Sequence, residues 1–166
     1  RSHATFIPQI TAELERALLW FLITCALRRR RGQTSSHMTM LVHTSPNVLQ
    51  HVRMANAISA WKEENSQGLC KGSGDIWQRL LDVWREETTR VPLDGKDENA
   101  LTPQDILPWL QEAIGVLDIA VENGESVERL NYTEDARTYI VVGGSVLARG
   151  LTLEGLSVSF FLSTSK

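Results

Sequence analysis

A chain of 166 residues, 42% of them hydrophobic and 22% charged, is long enough for one globular domain with a sizeable core and too apolar for wholesale disorder. A formal net charge of −3 excludes binding to nucleic acid through bulk positive charge, so any such contact must come from a local patch. Cys25 and Cys70 are too few and too far apart for a disulfide framework or a zinc site, and they suit a reducing, cytoplasmic setting.

Arg1-Ser2-His3 carries no initiator Met and Lys166 follows directly on an apolar run, so both ends read as cuts in a longer chain. Thr11 to about Arg29 predicts a helix, with Leu14, Leu18, Phe21, Leu22 and Cys25 stepping at three and four. Arg28 to Arg31 complement the dipole at its end, and Gly32 is a plausible stop. Its apolar run from Ala17 to Leu27 falls well short of the roughly 20 residues that a membrane span needs. Glu13, Glu15 and Arg16 before it are the wrong flank for a signal peptide. A core helix is expected, and no membrane partner.

Thr39 to His43 reads as a short buried strand. Ser45 then offers a helix N-cap and Pro46 a first helical position, opening a helix through Val48, Val52, Ala55, Ile58 and Trp61. Gly68 to Gly74 is expected to break it. Ile76, Leu80, Val83 and Trp84 mark the next helix. Pro92 to Ala100 reads as a solvated loop, and Thr102-Pro103 restarts a helix through Ile106, Leu107, Leu110 and Ile114. Val116–Val121, Tyr139–Val142 and Ser157–Leu162 complete the set as strands.

Strands separated by helices predict an α/β fold with a mainly parallel sheet flanked by helices. Residues 1–166 are read as a single lobe, with a helical insertion or side bundle over about residues 61–115.

The densest information lies between Ile140 and Leu156. A buried strand runs into Gly143 and Gly144, then a short turn, an Arg149-Gly150 corner and another strand. Glycines at a strand's carboxyl end let backbone amides approach a phosphate or a facing backbone. A corner at Gly150 can hold Arg149 at a fixed angle. The plainer alternative is a tight strand–turn–strand connection with no further role.

The run Val142-Gly143-Gly144-Ser145-Val146-Leu147-Ala148-Arg149-Gly150-Leu151-Thr152-Leu153-Glu154-Gly155-Leu156 resembles the signature of the Z-one domain family, V-G-G-N-x-L-S-R-G-L-T-L-E-G-L. That family accompanies superfamily-two helicase ATPases in bacterial proteins often labelled endonucleases and linked to restriction-modification-like defence. The same run is similar to helicase motif V, and Met40 to Ser45 is similar to the first strand of such a lobe, where motif IV falls. The resemblance implies a RecA-like (P-loop NTPase-like) C-terminal lobe. It also implies DNA as partner, a separate N-terminal ATPase lobe of the same protein, and ATP with Mg²⁺ in the intact protein. By the same resemblance His43, Thr44, Gly143, Gly144, Ser145, Arg149, Gly150 and Thr152 contact nucleic acid or the other lobe.

The match departs from the family at several positions. Ser145 stands for the usual Asn, Ala148 for Ser and Ser163 for Arg. Thr152 occupies a place where many helicases carry an Asp that touches the nucleotide ribose. The family's following Q-M-G-R-W-F-G-Y-R run, similar to motif VI, is not within these 166 residues.

Other chemistries find less support. Gly95-Lys96-Asp97 is not a Walker sequence, so this chain alone is expected neither to hydrolyse ATP nor to bind it tightly. Ser145 lacks the second glycine of a nucleophile elbow. His43 and His51 fall on different elements, and the acidic residues of the middle helices show no metal spacing. Arg28–Arg31 read as a solvated helix end, with a phosphate contact as the alternative. Trp77 and Trp84 read as packing residues rather than base-stacking ones.

Overall fold

The computed structural model describes residues 8–44, 47–122, 136–144 and 153–162. Helix α1 (Ala12–Arg30) precedes strand β1 (Met38–His43). Helices α2 (Val48–Lys71) and α3 (Gly74–Arg90) follow, then a 3-10 turn at Pro103–Ile106 that runs into α4 (Leu107–Gly115). Strands β2 (Leu117–Glu122), β3 (Thr138–Gly143) and β4 (Leu156–Phe161) close the order. The four strands form one sheet in the order β2-β3-β1-β4, and every pairing is parallel. The fold is thus the α/β arrangement expected from the sequence, consistent with a RecA-like lobe.

The central strands β1 and β3 are buried on both faces, which is why they read as continuous apolar runs. Alternate residues serve two cores. Met38, Met40, Val42, Ile140 and Val142 join the apolar residues of all four helices. Leu41, Tyr139 and Val141 form a smaller cluster with Leu153 on the opposite face. Edge strand β4 is exposed along most of its length, while Lys62 of α2 donates to the Leu117 carbonyl at the start of β2 (2.9 Å).

Thr11 caps α1 by accepting the Leu14 N–H (3.2 Å). The helix buries Leu14, Leu18, Leu19, Phe21, Leu22, Ile23, Cys25, Ala26 and Leu27, more than one stripe, because α3, α4 and β4 all pack against it. A helix apolar around most of its girth belongs in a core. No helix among the described residues is long and apolar enough to cross a membrane.

Four expectations are corrected. The cap of α2 is Asn47, whose side chain accepts the Leu49 N–H at 2.9 Å, rather than Ser45; Ser45 and Pro46 lie outside the described residues. The inward face of that helix starts with His51 and Met54, leaving Val48 and Val52 exposed. The helix also runs unbroken through Gly68. A Cβ there would lie 2.7 Å from Ile76 Cγ2 and 2.9 Å from the Ser73 carbonyl, so this glycine permits close packing of the following turn and α3 instead of ending the helix.

The last correction concerns one residue of the acidic loop, which is otherwise mostly exposed as expected. Glu98 is 2% exposed. The Arg31 Nε and Nη2 donate to its two oxygens at 2.7 and 2.6 Å, and the Gly95 N–H donates at 3.0 Å. The loop is tied to the end of α1. Two more members of the basic cluster are engaged: Arg28 donates to the His37 carbonyl and Arg29 to Thr138 Oγ1, each at 3.2 Å. Trp77 and Trp84 are both buried, as packing residues should be.

Candidate functional site

In an open parallel sheet, ligands gather beyond the carboxyl ends of the strands, where the chain leaves neighbouring strands in opposite directions. Here that point lies between β1 and β3. From β1 the chain goes on to β2, on the far side of β3; from β3 it goes on to β4, on the far side of β1. The residues ending these two strands are His43-Thr44 and Gly143-Gly144.

Sheet register places them together. His43 is the neighbour of Gly143, and the Thr44 N–H donates to the Gly143 carbonyl at 2.9 Å. Thr44, Gly143 and Gly144 are buried, and His43 is partly exposed. Four of the eight residues singled out from sequence are therefore contiguous, although about a hundred positions separate the two pairs. The other four, Ser145, Arg149, Gly150 and Thr152, lie outside the described residues.

The same register draws in two residues that the sequence reading passed over. Glu122, the last residue of β2, is the neighbour of Gly143 on its other side and is 3% exposed. Phe161, on β4, is the neighbour of His43. Its ring centroid lies 5.1 Å from that of His43 at an interplanar angle of 36°, and it is 57% exposed. Glu122, Gly143, His43 and Phe161 thus form one row across the carboxyl edge of the sheet. Gly143 leaves a position without a side chain between an acid and an imidazole. The only sequence signal for Glu122 and Phe161 was their place at strand ends, which acquires meaning once strand order is known.

The exit of the glycine- and arginine-containing segment is fixed at the other end of β1. Thr39, fully buried, donates its Oγ1 to the Glu154 carbonyl (2.7 Å) and its N–H to the Gly155 carbonyl (3.0 Å). His37 Nδ1 accepts the Arg137 N–H at 3.0 Å, so the neutral ring carries its proton on Nε2, 3.7 Å from Glu154 Oε2. Entry and exit are both tied to β1.

The described residues do not fit ATP with Mg²⁺. Phosphate cradles need backbone amides turned outward to an anion and an acidic metal partner. The Gly95 amide beside Lys96 instead faces the Glu98 carboxylate of its own loop. No group of three or more His, Cys, Asp or Glu among the described residues is placed to hold a metal ion. Burial disfavours the thiolate at both cysteines: it pushes Cys25 up to about 12 and also raises Cys70.

Compared with known sequences, the Z1 domain matches residues 13–166. No curated protein and no solved structure matches the chain.

Proposed function

Because the chain belongs to the Z1 domain family, we propose that it is the second lobe of a helicase-type ATPase that acts on DNA, gripping the phosphate backbone at the carboxyl edge of its sheet. The observation that carries this reading is the contiguity of His43-Thr44 with Gly143-Gly144 at the point where the chain diverges. The two strand ends bring the half-exposed His43 imidazole and the Gly143-Gly144 backbone to one place, and the segment bearing Arg149 leaves from it. An imidazole beside a glycine-rich strand end suits an anionic backbone, since polar contacts of this kind position phosphates without reading sequence.

ATP and Mg²⁺ belong, in this reading, to the other lobe of the intact protein. This lobe contributes the grip on the strand and the coupling across the cleft. Restriction-modification-like defence is the setting that the family resemblance suggests.

The test is fluorescence anisotropy with labelled single-stranded and duplex oligonucleotides, at several salt concentrations. Binding that weakens steeply with salt and is lost in Arg149→Ala supports the proposal; binding indifferent to Arg149 removes it. A non-catalytic protein-interaction module is the second reading. It is favoured by the exposed Val48, Leu49 and Val52 at the start of α2, a run of apolar side chains suited to another protein surface.

A further inference from the structure

Resting on the reading of the sheet's carboxyl edge as a nucleic-acid contact, we propose that Phe161 and His43 form a stacking platform for an unpaired nucleobase, so that the site takes single-stranded rather than duplex DNA. Phe161, the last residue of β4, is 57% exposed. Its ring centroid lies 5.1 Å from that of His43 and the two planes meet at 36°, a separation typical of packed aromatic rings.

That exposure is out of keeping with the rest of the strand. Side chains alternate between the two faces of a sheet. Val158 and Phe160 turn towards the helices and pack against the main core. Ser157, Ser159 and Phe161 occupy the other face, and all three are exposed. Serines suit solvent there, whereas a phenyl ring does not, and Phe160 already serves the core beside it.

The backbone under both rings is fixed. The Leu162 N–H donates to the His43 carbonyl and the Thr44 N–H to the Gly143 carbonyl, each at 2.9 Å. Strand β1 is thus held on both sides at the level of the rings. Gly143, the neighbour of His43 on the side away from Phe161, has no side chain to crowd the imidazole. A ring with two side-chain torsions also loses little freedom when a ligand covers it.

The chemistry around the ring selects its occupant. A phosphate has no use for a phenyl ring, which offers no donor. A protein partner wants a contiguous apolar patch, yet the flanking residues, Ser159 along the strand and His43 across it, are polar. A nucleobase matches both features, because its flat face stacks on phenyl and imidazole rings whatever the sequence and its edges tolerate polar neighbours. In a duplex that face is covered by the adjoining base pairs. Only an unpaired base can lie on the ring.

The experiment compares wild type, Phe161→Leu and Phe161→Tyr in the full-length protein by fluorescence anisotropy. Three fluorescein-labelled probes are used: an oligothymidylate, the same strand with abasic sites along its centre, and the oligothymidylate paired with oligoadenylate. Phe161→Leu should weaken binding of the oligothymidylate about tenfold. It should change binding of the abasic strand and the duplex by less than about twofold, because neither offers a base to the ring. Phe161→Tyr keeps the ring and should restore binding of the oligothymidylate. A free nucleotide carries the same kind of base, so affinity for a fluorescent ATP analogue is read in parallel and should not change in Phe161→Leu.

Losses of equal size on all three probes, or no loss on the oligothymidylate, overturn the platform and leave the phosphate grip standing. Weaker binding of the ATP analogue with oligothymidylate binding intact gives the ring to a nucleotide and overturns the single-strand proposal. If Phe161→Leu does not fold, the wild type decides: it should bind the oligothymidylate about tenfold more tightly than the abasic strand, and equal affinities overturn the platform. Absence of binding to every probe removes the platform and the nucleic-acid reading together.

Discussion

The Thr44 N–H and the Gly143 carbonyl, 2.9 Å apart, join the ends of the two central strands where the chain diverges from them. The bond makes neighbours of two stretches that sequence resemblance identifies separately. It also braces the carboxyl end of β3 against the residue that follows β1. The functional predictions rest on this bracing.

Replacing Arg149 with Ala should reduce DNA-stimulated ATP hydrolysis by the full-length protein at least tenfold, equivalent to roughly 1.4 kcal/mol. A guanidinium bridging phosphate or the facing lobe makes charge-assisted, directional hydrogen bonds that Ala cannot replace. A stability change of under about 0.5 kcal/mol, the usual effect of a surface substitution, would separate a lost contact from a lost fold. Activity that survives, or that falls only in step with stability, would make the corner a folding device.

The isolated 166-residue chain should show neither ATPase nor nuclease turnover. Its one Gly-Lys pair sits beside a loop amide committed to Glu98. Steady-state assays with ATP, Mg²⁺ and single-stranded or duplex DNA check this; turnover abolished by a substitution within the chain would refute it.

Glu98→Gln should destabilise the fold by about 1–3 kcal/mol at neutral pH. It leaves the Arg31 guanidinium with only the exposed Asp94 carboxylate, 3.7 Å away, as an anionic partner, but Arg31 is one-third exposed, so water offsets part of the loss. The Arg31 guanidinium, with help from the Gly95 N–H, holds the Glu98 carboxyl below the usual carboxylate range. A depressed carboxylate adds stability that is complete above its unfolded value and disappears as pH falls through its folded value. The gap between wild type and variant in urea midpoint should therefore be constant near neutrality and close below about pH 4. A gap unchanged at pH 3 would contradict the pairing.

Gly155→Ala should cost more than about 2 kcal/mol, because a Cβ at that positive φ would run into the His37 carbonyl. Gly115→Ala is the control. Nothing lies within 4 Å of a Cβ there, at the last position of α4, so its urea midpoint should equal or exceed that of wild type.

Residues 140–142 and 40–42 could be read as strands because both faces of each are covered, leaving no polar position to interrupt the run. The α1 helix was equally plain, though its breadth of burial was not, since that depends on three elements packing around it. Local chemistry misled where a better-looking signal stood nearby: Ser45-Pro46 offered a stronger helix start than Asn47, and Gly68 looked like punctuation. The Arg31–Glu98 pair spans 67 positions, so no local pattern could show that the acidic loop is pinned. The motif supplied the candidate residues after β3, but only strand order puts Glu122, His43 and Phe161 on the same edge.

The placement of β1 has a consequence for how the molecule assembles. Its partners on both sides, β3 and β4, are made about a hundred residues later, so the amino-terminal helices can gather while their central strand still lacks both neighbours. Closing loops of that length comes before any pairing energy is returned, and chains dominated by such distant contacts fold slowly. During synthesis, an apolar ribbon of Met38 to Val42 stays unpaired until residues beyond Thr138 have emerged. A ribosome stalled before that point would hold a strand with exposed backbone edges, a natural target for chaperones and for aggregation.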